Sequence, residues 1–181
     1  MCYNGGMKTT TDYNPSTEAM KIARPIVDSW DWWVAPWLAA LIDGEGSIMI
    51  MRRRYRGVGE SRSGYGSWRP SIHVYNTCLG LIDATKAATG LGYVVHSHRD
   101  KVKESHKKDS YFWCIESGGI RFVAEAVLPF LIVKHRQAEI LIEVRKLIEQ
   151  HVRGHQNDEQ IYDLYSEIKI LNKTGRKEEE P

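Results

Sequence analysis

The chain has 181 residues, 27% of them charged and 42% hydrophobic, which suits one well-packed domain and argues against a disordered chain. No apolar run approaches the roughly 18 residues of a membrane-spanning helix, and the first residues lack the pattern of a secretory signal. The three cysteines, Cys2, Cys78 and Cys114, are odd in number and scattered, which excludes a disulfide framework and a CxxC zinc site and predicts an intracellular setting, cytoplasm or organelle matrix. The net charge of +2 is unevenly spread, at −3 over residues 1–46, +6 over 47–116 and −1 over 117–181. A basic middle segment is the electrostatic footprint expected of a nucleic-acid partner.

Residues 1–28 mix Gly5-Gly6, Thr9-Thr10-Thr11 and Asn14-Pro15-Ser16 without sustained periodicity, and are expected to form a flexible arm. One domain is expected over 29–173, followed by a frayed acidic tail over 174–181. Trp30, Trp32, Trp33 and Trp37 read as packing residues leading into a helix, with Asp31 available as its N-cap. On that helix Trp37, Leu38, Leu41 and Ile42 form an apolar face, whereas Pro36, Ala40 and Gly44, at spacing four, leave another face nearly bare of side chain. A bare face lets a second backbone approach closely. The helix is expected to stop at Gly44, within Asp43-Gly44-Glu45-Gly46. A carboxylate there lies beside unpartnered carbonyls at the negative end of the macrodipole, a setting that repels anions and suits a hard cation such as Mg²⁺.

From Ser47 the apolar period becomes two. Ile48 and Ile50 are expected inward, with Met49, Met51, Arg53 and Tyr55 outward. Residues 57–67 read as a hairpin loop, and the return strand places Ile72 and Val74 inward against Arg69, Ser71, His73 and Tyr75 outward. A helix over about residues 76–89 closes on Gly90-Leu91-Gly92. A second hairpin follows, from Tyr93 to about Arg99 and from Tyr111 to Glu116, joined by the basic loop that begins at Lys101. His96 and His98 share a strand face and read as surface or backbone-contacting histidines. Helical signals cover 120–127, break at Pro129, resume over 132–150 and return at 158–171.

Leu38-Ala39-Ala40-Leu41-Ile42-Asp43-Gly44-Glu45-Gly46 resembles the signature of LAGLIDADG homing endonucleases, matching it at seven of nine positions when Glu45 is counted for the second acid. Gly92-Tyr93-Val94 resembles that family's G-x-V at the second hairpin, and Leu128 to Ala138 resembles its PFL-x-x-K-x-x-QA segment. The likeness spans roughly residues 30–173. It implies an α+β fold of order α-β-β-α-β-β-α, with four antiparallel strands in a saddle and helices on one face. Leu79 to Ala84 looks like a second signature but has no acid at the position of Glu45, and Thr85 stands where the glycine pair would begin. A single signature implies a homodimer meeting through Pro36, Ala40 and Gly44.

The activity implied is that of a site-specific double-strand DNA endonuclease serving intron mobility. It would depend on Mg²⁺ or Mn²⁺ held by Glu45 and the Gly44 carbonyl. By the same resemblance Lys134 matches an active-site lysine, and Asn76 falls near a polar residue that orients water. Asp43 is expected to cap or pack rather than bind metal. Arg53, Tyr55, Arg69, Ser71 and His73, with Ser97, Arg99 and Lys101 from the second hairpin, are assigned to base reading. Arg52, Arg54, Arg56 and Arg62 are assigned to phosphates. The alternatives on the same fold are an intron RNA maturase and a DNA-binding regulator that does not cleave.

Overall fold

The structure is a computed structural model that describes residues 15–54, 66–97, 109–116, 118–150 and 158–173. Its elements run α1 (Pro15–Asp28), α2 (Val34–Glu45), β1 (Gly46–Arg54), β2 (Gly66–Asn76), α3 (Leu79–Thr89), β3 (Tyr93–Ser97), β4 (Ser110–Glu116), α4 (Ile120–Val127), a 3₁₀ turn (Leu128–Phe130), α5 (His135–Gln150) and α6 (Asp158–Leu171). The four strands form one antiparallel sheet in the order β1-β2-β4-β3, so the two hairpins join along β2 and β4. The alternation expected of the first hairpin holds on the core side, where Ile48, Ile50, Ile72 and Val74 are buried. They pack with Trp113 and Ile115 of β4 against Leu38 and Ile42 of α2, Ile82 of α3, Val123 and Val127 of α4, and Ile140 and Leu141 of α5.

Period-two burial on one face and period-3.6 burial on the facing helices make this a two-layer fold with a single core. α6 closes the edge at β1. There Trp68 Nε1 donates to Asp158 at 2.9 Å, and Asn172 Nδ2 donates to the Ile48 carbonyl at 3.0 Å. Arg136 of α5 ties α6 further through two hydrogen bonds to Glu167, at 2.7 and 3.1 Å. The exposure of that pair limits its contribution to stability.

The segment 15–28, expected to belong to a flexible arm, is instead the helix α1, docked on α4. Its anchor is small. Ala23 is buried against Gly119, where an added methyl would meet the Ala23 Cβ at 2.7 Å. The chain after α1 is held as well, because Trp30 Nε1 donates to the Thr89 carbonyl at 2.9 Å. Residues 1–14 and the tail 174–181 lie outside the described residues, as do Tyr55, Arg56, Arg62, His98, Arg99 and Lys101.

Two glycines are required by close approach. Gly92 has φ +73°, and a Cβ there would lie 2.5 Å from the Cys114 carbonyl and 2.6 Å from Trp113 Nε1. That indole is buried and donates to the Leu91 carbonyl at 2.8 Å. Gly46 joins α2 to β1, and a Cβ there would lie 2.7 Å from Ile42 Cα and 2.9 Å from the His73 carbonyl. All of the atoms crowding Gly46 are backbone, so none can swing aside. Gly46→Ala is therefore expected to cost at least about 2 kcal/mol, lowering the thermal midpoint by about 4–8 °C in a calorimetric melt.

Candidate active site

Helix α2 runs one residue past the expected stop, so that Gly44 and Glu45 form its last turn and Gly46 is the cap. The Gly46 N–H donates to the Ile42 carbonyl while the backbone is already extended, at φ −101° and ψ 174°. The turn from helix to strand is thus completed within one residue. Glu45 is exposed at the end of the helix, directly before the first residue of β1.

Asp43 and Lys134 build the ground under Glu45. The Asp43 carboxylate accepts from three successive backbone N–H groups, those of Ile132 and Val133 at 2.7 and 3.1 Å through Oδ2, and that of Lys134 at 2.9 Å through Oδ1. In return Lys134 Nζ donates to the Asp43 carbonyl at 2.7 Å. The C-terminal end of α2, carrying partial negative charge, receives an ammonium, and the N-terminal end of α5, carrying partial positive charge, receives a carboxylate. Asp43 therefore fastens the segment 132–134 that leads into α5, about 90 positions away, with a partner that spacing could not show. Lys134 is thereby held at the end of α2. Its remaining two N–H donors can serve an anion beside Glu45.

The two faces of α2 differ, though the buried one is centred elsewhere than expected, since Trp37 and Leu41 are only half-buried. Val34, Leu38, Ala39 and Ile42 are buried, whereas Ala40 and Gly44 are exposed and Pro36 is half-buried. A Cβ built on Gly44 meets nothing within 4 Å. Trp33, 40% exposed, stands edge-on to Trp37 with ring centroids 5.9 Å apart. Beyond the other end of the helix lie Ile132 and Val133, 88% and 68% exposed.

The other expected site residues divide into groups. Asn76, assigned to orienting water, has its side-chain oxygen occupied by the Cys78 N–H at 2.9 Å and pairs with Tyr111. It forms an Asx turn leading into α3, and none of the described hydrogen bonds joins it to Glu45 or Lys134. Arg69 and Ser97 are exposed on the open side of the sheet. Arg53 and Arg54 lie in β1. Arg52 falls on the helix side, its guanidinium 5.2 Å from the Trp68 ring and 6.0 Å from that of Tyr162.

Ser71 and His73 have the expected parity but are buried, at 0% and 8% exposure. This corrects their assignment as open base-reading residues. β2 is an inner strand, and His73 is covered by Phe112, stacked at 5.3 Å, and by Tyr75, whose hydroxyl lies 2.7 Å from Nδ1. Burial holds the His73 imidazole below its usual pKa, against the opposing pull of Glu116. The same burial raises the Cys114 thiol. Tyr93 is pushed up to about 12, first by its hydrogen bond to Cys114 and then by burial. The sequence offered one signal for this centre, the apolar and aromatic residues Phe112, Cys114 and Tyr93 at the paired positions of the second hairpin.

The donors available for a divalent cation at the α2 end are hard oxygens, the exposed Glu45 carboxylate and the Gly44 carbonyl, a set that fits Mg²⁺. Asp43 does not join them, since both its oxygens are occupied by N–H groups.

Because both oxygens of one carboxylate hold the start of α5, Asp43→Ala is expected to lower unfolding stability by about 2–3 kcal/mol, measured by urea denaturation. Asp43→Asn, which keeps the shape but loses the charge, is expected to recover part of that loss.

No protein-family model matches the chain, and no curated protein sequence matches it either. Solved structures do. An archaeal intron-encoded homing endonuclease complexed with DNA superposes with a TM-score of 0.63 at 16% identity, over 82% of this chain and 89% of that one. The homing endonuclease I-CvuI, in complex with a DNA target in the presence of Mg, gives 0.57 at 17% identity, over 81% and 84%. I-LtrWI, a LAGLIDADG homing endonuclease bound to target DNA, gives 0.54 at 16% identity, over 72% of this chain and 42% of that one. With the signature helix feeding β1, the sheet order β1-β2-β4-β3 and the helices on one face, the fold of this chain is that of the LAGLIDADG homing endonucleases.

Proposed function

We propose that the chain is a site-specific double-strand DNA endonuclease that works as a homodimer and hydrolyses phosphodiesters with Mg²⁺ or Mn²⁺. The observation that carries this reading is the end of α2. An exposed carboxylate, Glu45, ends the same helix turn whose Asp43 carbonyl takes the Lys134 ammonium at 2.7 Å, on a helix that also exposes Ala40 and Gly44. A protein that only binds DNA has no use for an acid pointed at phosphates.

Two copies of α2 crossing through Pro36, Ala40 and Gly44 would bring both Glu45 carboxylates beside a two-fold axis. The minor groove is about 6 Å wide, so one acid could serve each strand. Glu45 and the Gly44 carbonyl would hold the cation, which when bound neutralises phosphate charge and lowers the pKa of water. Glu45 orients the attacking water by accepting its hydrogen bond. The water oxygen bonds to phosphorus as the bond from phosphorus to the 3′ oxygen breaks, leaving a 3′-hydroxyl and a 5′-phosphate. Lys134 donates to the phosphate oxygens as their charge grows.

Recognition follows from the open face of the sheet. A strand rises about 3.3 Å per residue, close to the 3.4 Å step of duplex DNA, so paired strands can follow a major groove. With Ser71 and His73 buried, the exposed groups on that face among the described residues are Met51, Arg69, Tyr75, Tyr93 and Ser97. Met51 suits thymine methyls, and Arg69 suits the acceptor edge of guanine.

The test uses DNA spanning the intron-less insertion site of the chain's own gene, with Mg²⁺, Ca²⁺ or EDTA. Mg²⁺-dependent double-strand cleavage is expected, and Glu45→Gln should lower its rate by roughly 10³-fold or more while gel-shift affinity in Ca²⁺ stays near wild type. Cleavage that survives Glu45→Gln overturns the mechanism. Binding of intron RNA without binding of this DNA would instead support a maturase.

The interface has its own test. Because Gly44 faces open space within one protomer, Gly44→Leu is expected to keep the far-UV circular dichroism spectrum while shifting sedimentation from dimer to monomer. A variant that still sediments as a dimer would place the interface elsewhere.

A further inference from the structure

The open face of the sheet carries a second set of metal donors, distinct from the α2 end. His73 and Cys114 are direct cross-strand partners on β2 and β4, and Glu116, two residues along β4, is paired with Ser71. A His73 ring nitrogen, the Cys114 sulfur and a Glu116 carboxylate oxygen all lie within 4.8 Å of one another. We propose that His73, Cys114 and Glu116 form a Zn²⁺ site that staples the first hairpin to the second.

Three observations support a built site. His73 is 8% exposed and its buried Nε2 has no hydrogen-bond partner among the described residues, a state that folded proteins seldom leave a buried polar atom in. The ring is also oriented from behind. With its proton on Nδ1, donated to the Tyr75 oxygen 2.7 Å away, the lone pair of Nε2 is free for a metal, the usual arrangement of a ligating histidine. Cys114, itself buried, lies between His73 on β2 and its other cross-strand partner, Tyr93 on β3.

The donor types then select the ion. Imidazole, thiolate and carboxylate are all ligands of Zn²⁺, whereas Mg²⁺ takes oxygen and avoids sulfur. Zn–S and Zn–N bonds of about 2.3 and 2.0 Å put tetrahedral donors roughly 3.5 Å apart, so donors already within 4.8 Å of one another have about 1 Å to close. Since β2 and β4 are the seam between the two hairpins, a metal there links two units that otherwise meet through backbone hydrogen bonds and packing.

The test begins with the purified full chain, stripped of metal and freed of chelator, and titrated with Co²⁺ as a spectroscopic probe. One equivalent per chain is expected, with a thiolate-to-cobalt charge-transfer band and the intense visible bands of a tetrahedral ion, both erased by added Zn²⁺. Competition against a chromogenic Zn²⁺ chelator should show affinity reduced by roughly 100-fold or more in His73→Gln. Cys114→Ser should abolish the charge-transfer band.

Either substitution is buried and could disturb folding, so Glu116→Gln, at a half-buried position, is the second probe. It should keep the wild-type circular dichroism spectrum while removing the rise in thermal midpoint that Zn²⁺ gives the native chain. Cys78→Ser and Glu45→Gln should bind Zn²⁺ as the native chain does. The proposal is overturned if no sulfur-to-cobalt band forms, if Cys78→Ser rather than Cys114→Ser removes it, or if Zn²⁺ binding is lost in Glu45→Gln and kept in His73→Gln.

Discussion

The reciprocal clasp between Asp43 and Lys134 is the constraint on which the site depends. One carboxylate holds three amide hydrogens at the start of α5, and the lysine at that start holds the carbonyl of the same aspartate. Each helix end thereby receives the charge that its dipole favours. Because Gly46 turns the chain into β1 within one residue, fixing Asp43 also fixes where Glu45 stands relative to the sheet. A site built on such a pair is rigid for a local reason. If either side chain rotated away, backbone groups at the end of α2 or in the segment leading into α5 would be left unpaired.

Rigidity on one side of α2 contrasts with incompleteness on the other. Its buried face is filled by the core of its own protomer, while Ala40, Gly44 and the Trp33–Trp37 pair border solvent. Exposed apolar surface next to a stripe of small residues is costly in isolation and is relieved when an equivalent surface covers it. The same helix end therefore combines a fixed carboxylate position with an unfinished surface. Homodimerisation would finish that surface and double the acid count in a single step.

The sequence made the fold legible wherever a short-range period decided it. Ile48, Ile50, Ile72 and Val74 declared their face, Gly90 and Gly92 closed α3, and the limits of α6 followed from a single amphipathic run. What stayed hidden depended on residues far apart in the chain. Helix α1 escaped because its one fully buried residue is a small one, Ala23 against Gly119, with Ile26 and Val27 only half-buried. The parity of Ser71 and His73 was correct, but their burial is decided by Phe112 and Cys114, about 40 positions later. Asn76 was placed by analogy of position, whereas its short side chain is claimed locally by the Cys78 N–H, the usual fate of an asparagine at a strand end.

The buried centre of the open face changes how that face can work. A surface that reads duplex DNA gains most from donors and acceptors at its rim, where DNA strips little water from them, and from stiffness at its middle. Here Arg69 and Ser97 stand at exposed positions while His73, Cys114 and Phe112 fill the seam between the hairpins. The groups at the seam are polar yet dry, with Ser71 Oγ and His73 Nε2 both lacking hydrogen-bond partners among the described residues. Polar atoms in that state raise the energy of the bare sheet. Their cost is offset only if something binds them, and a cation shared by His73, Cys114 and Glu116 would engage the histidine while leaving the rim free for nucleic acid. A sheet stiffened at its seam would hold the two hairpins at a set angle, and that angle decides whether both can lie in one groove.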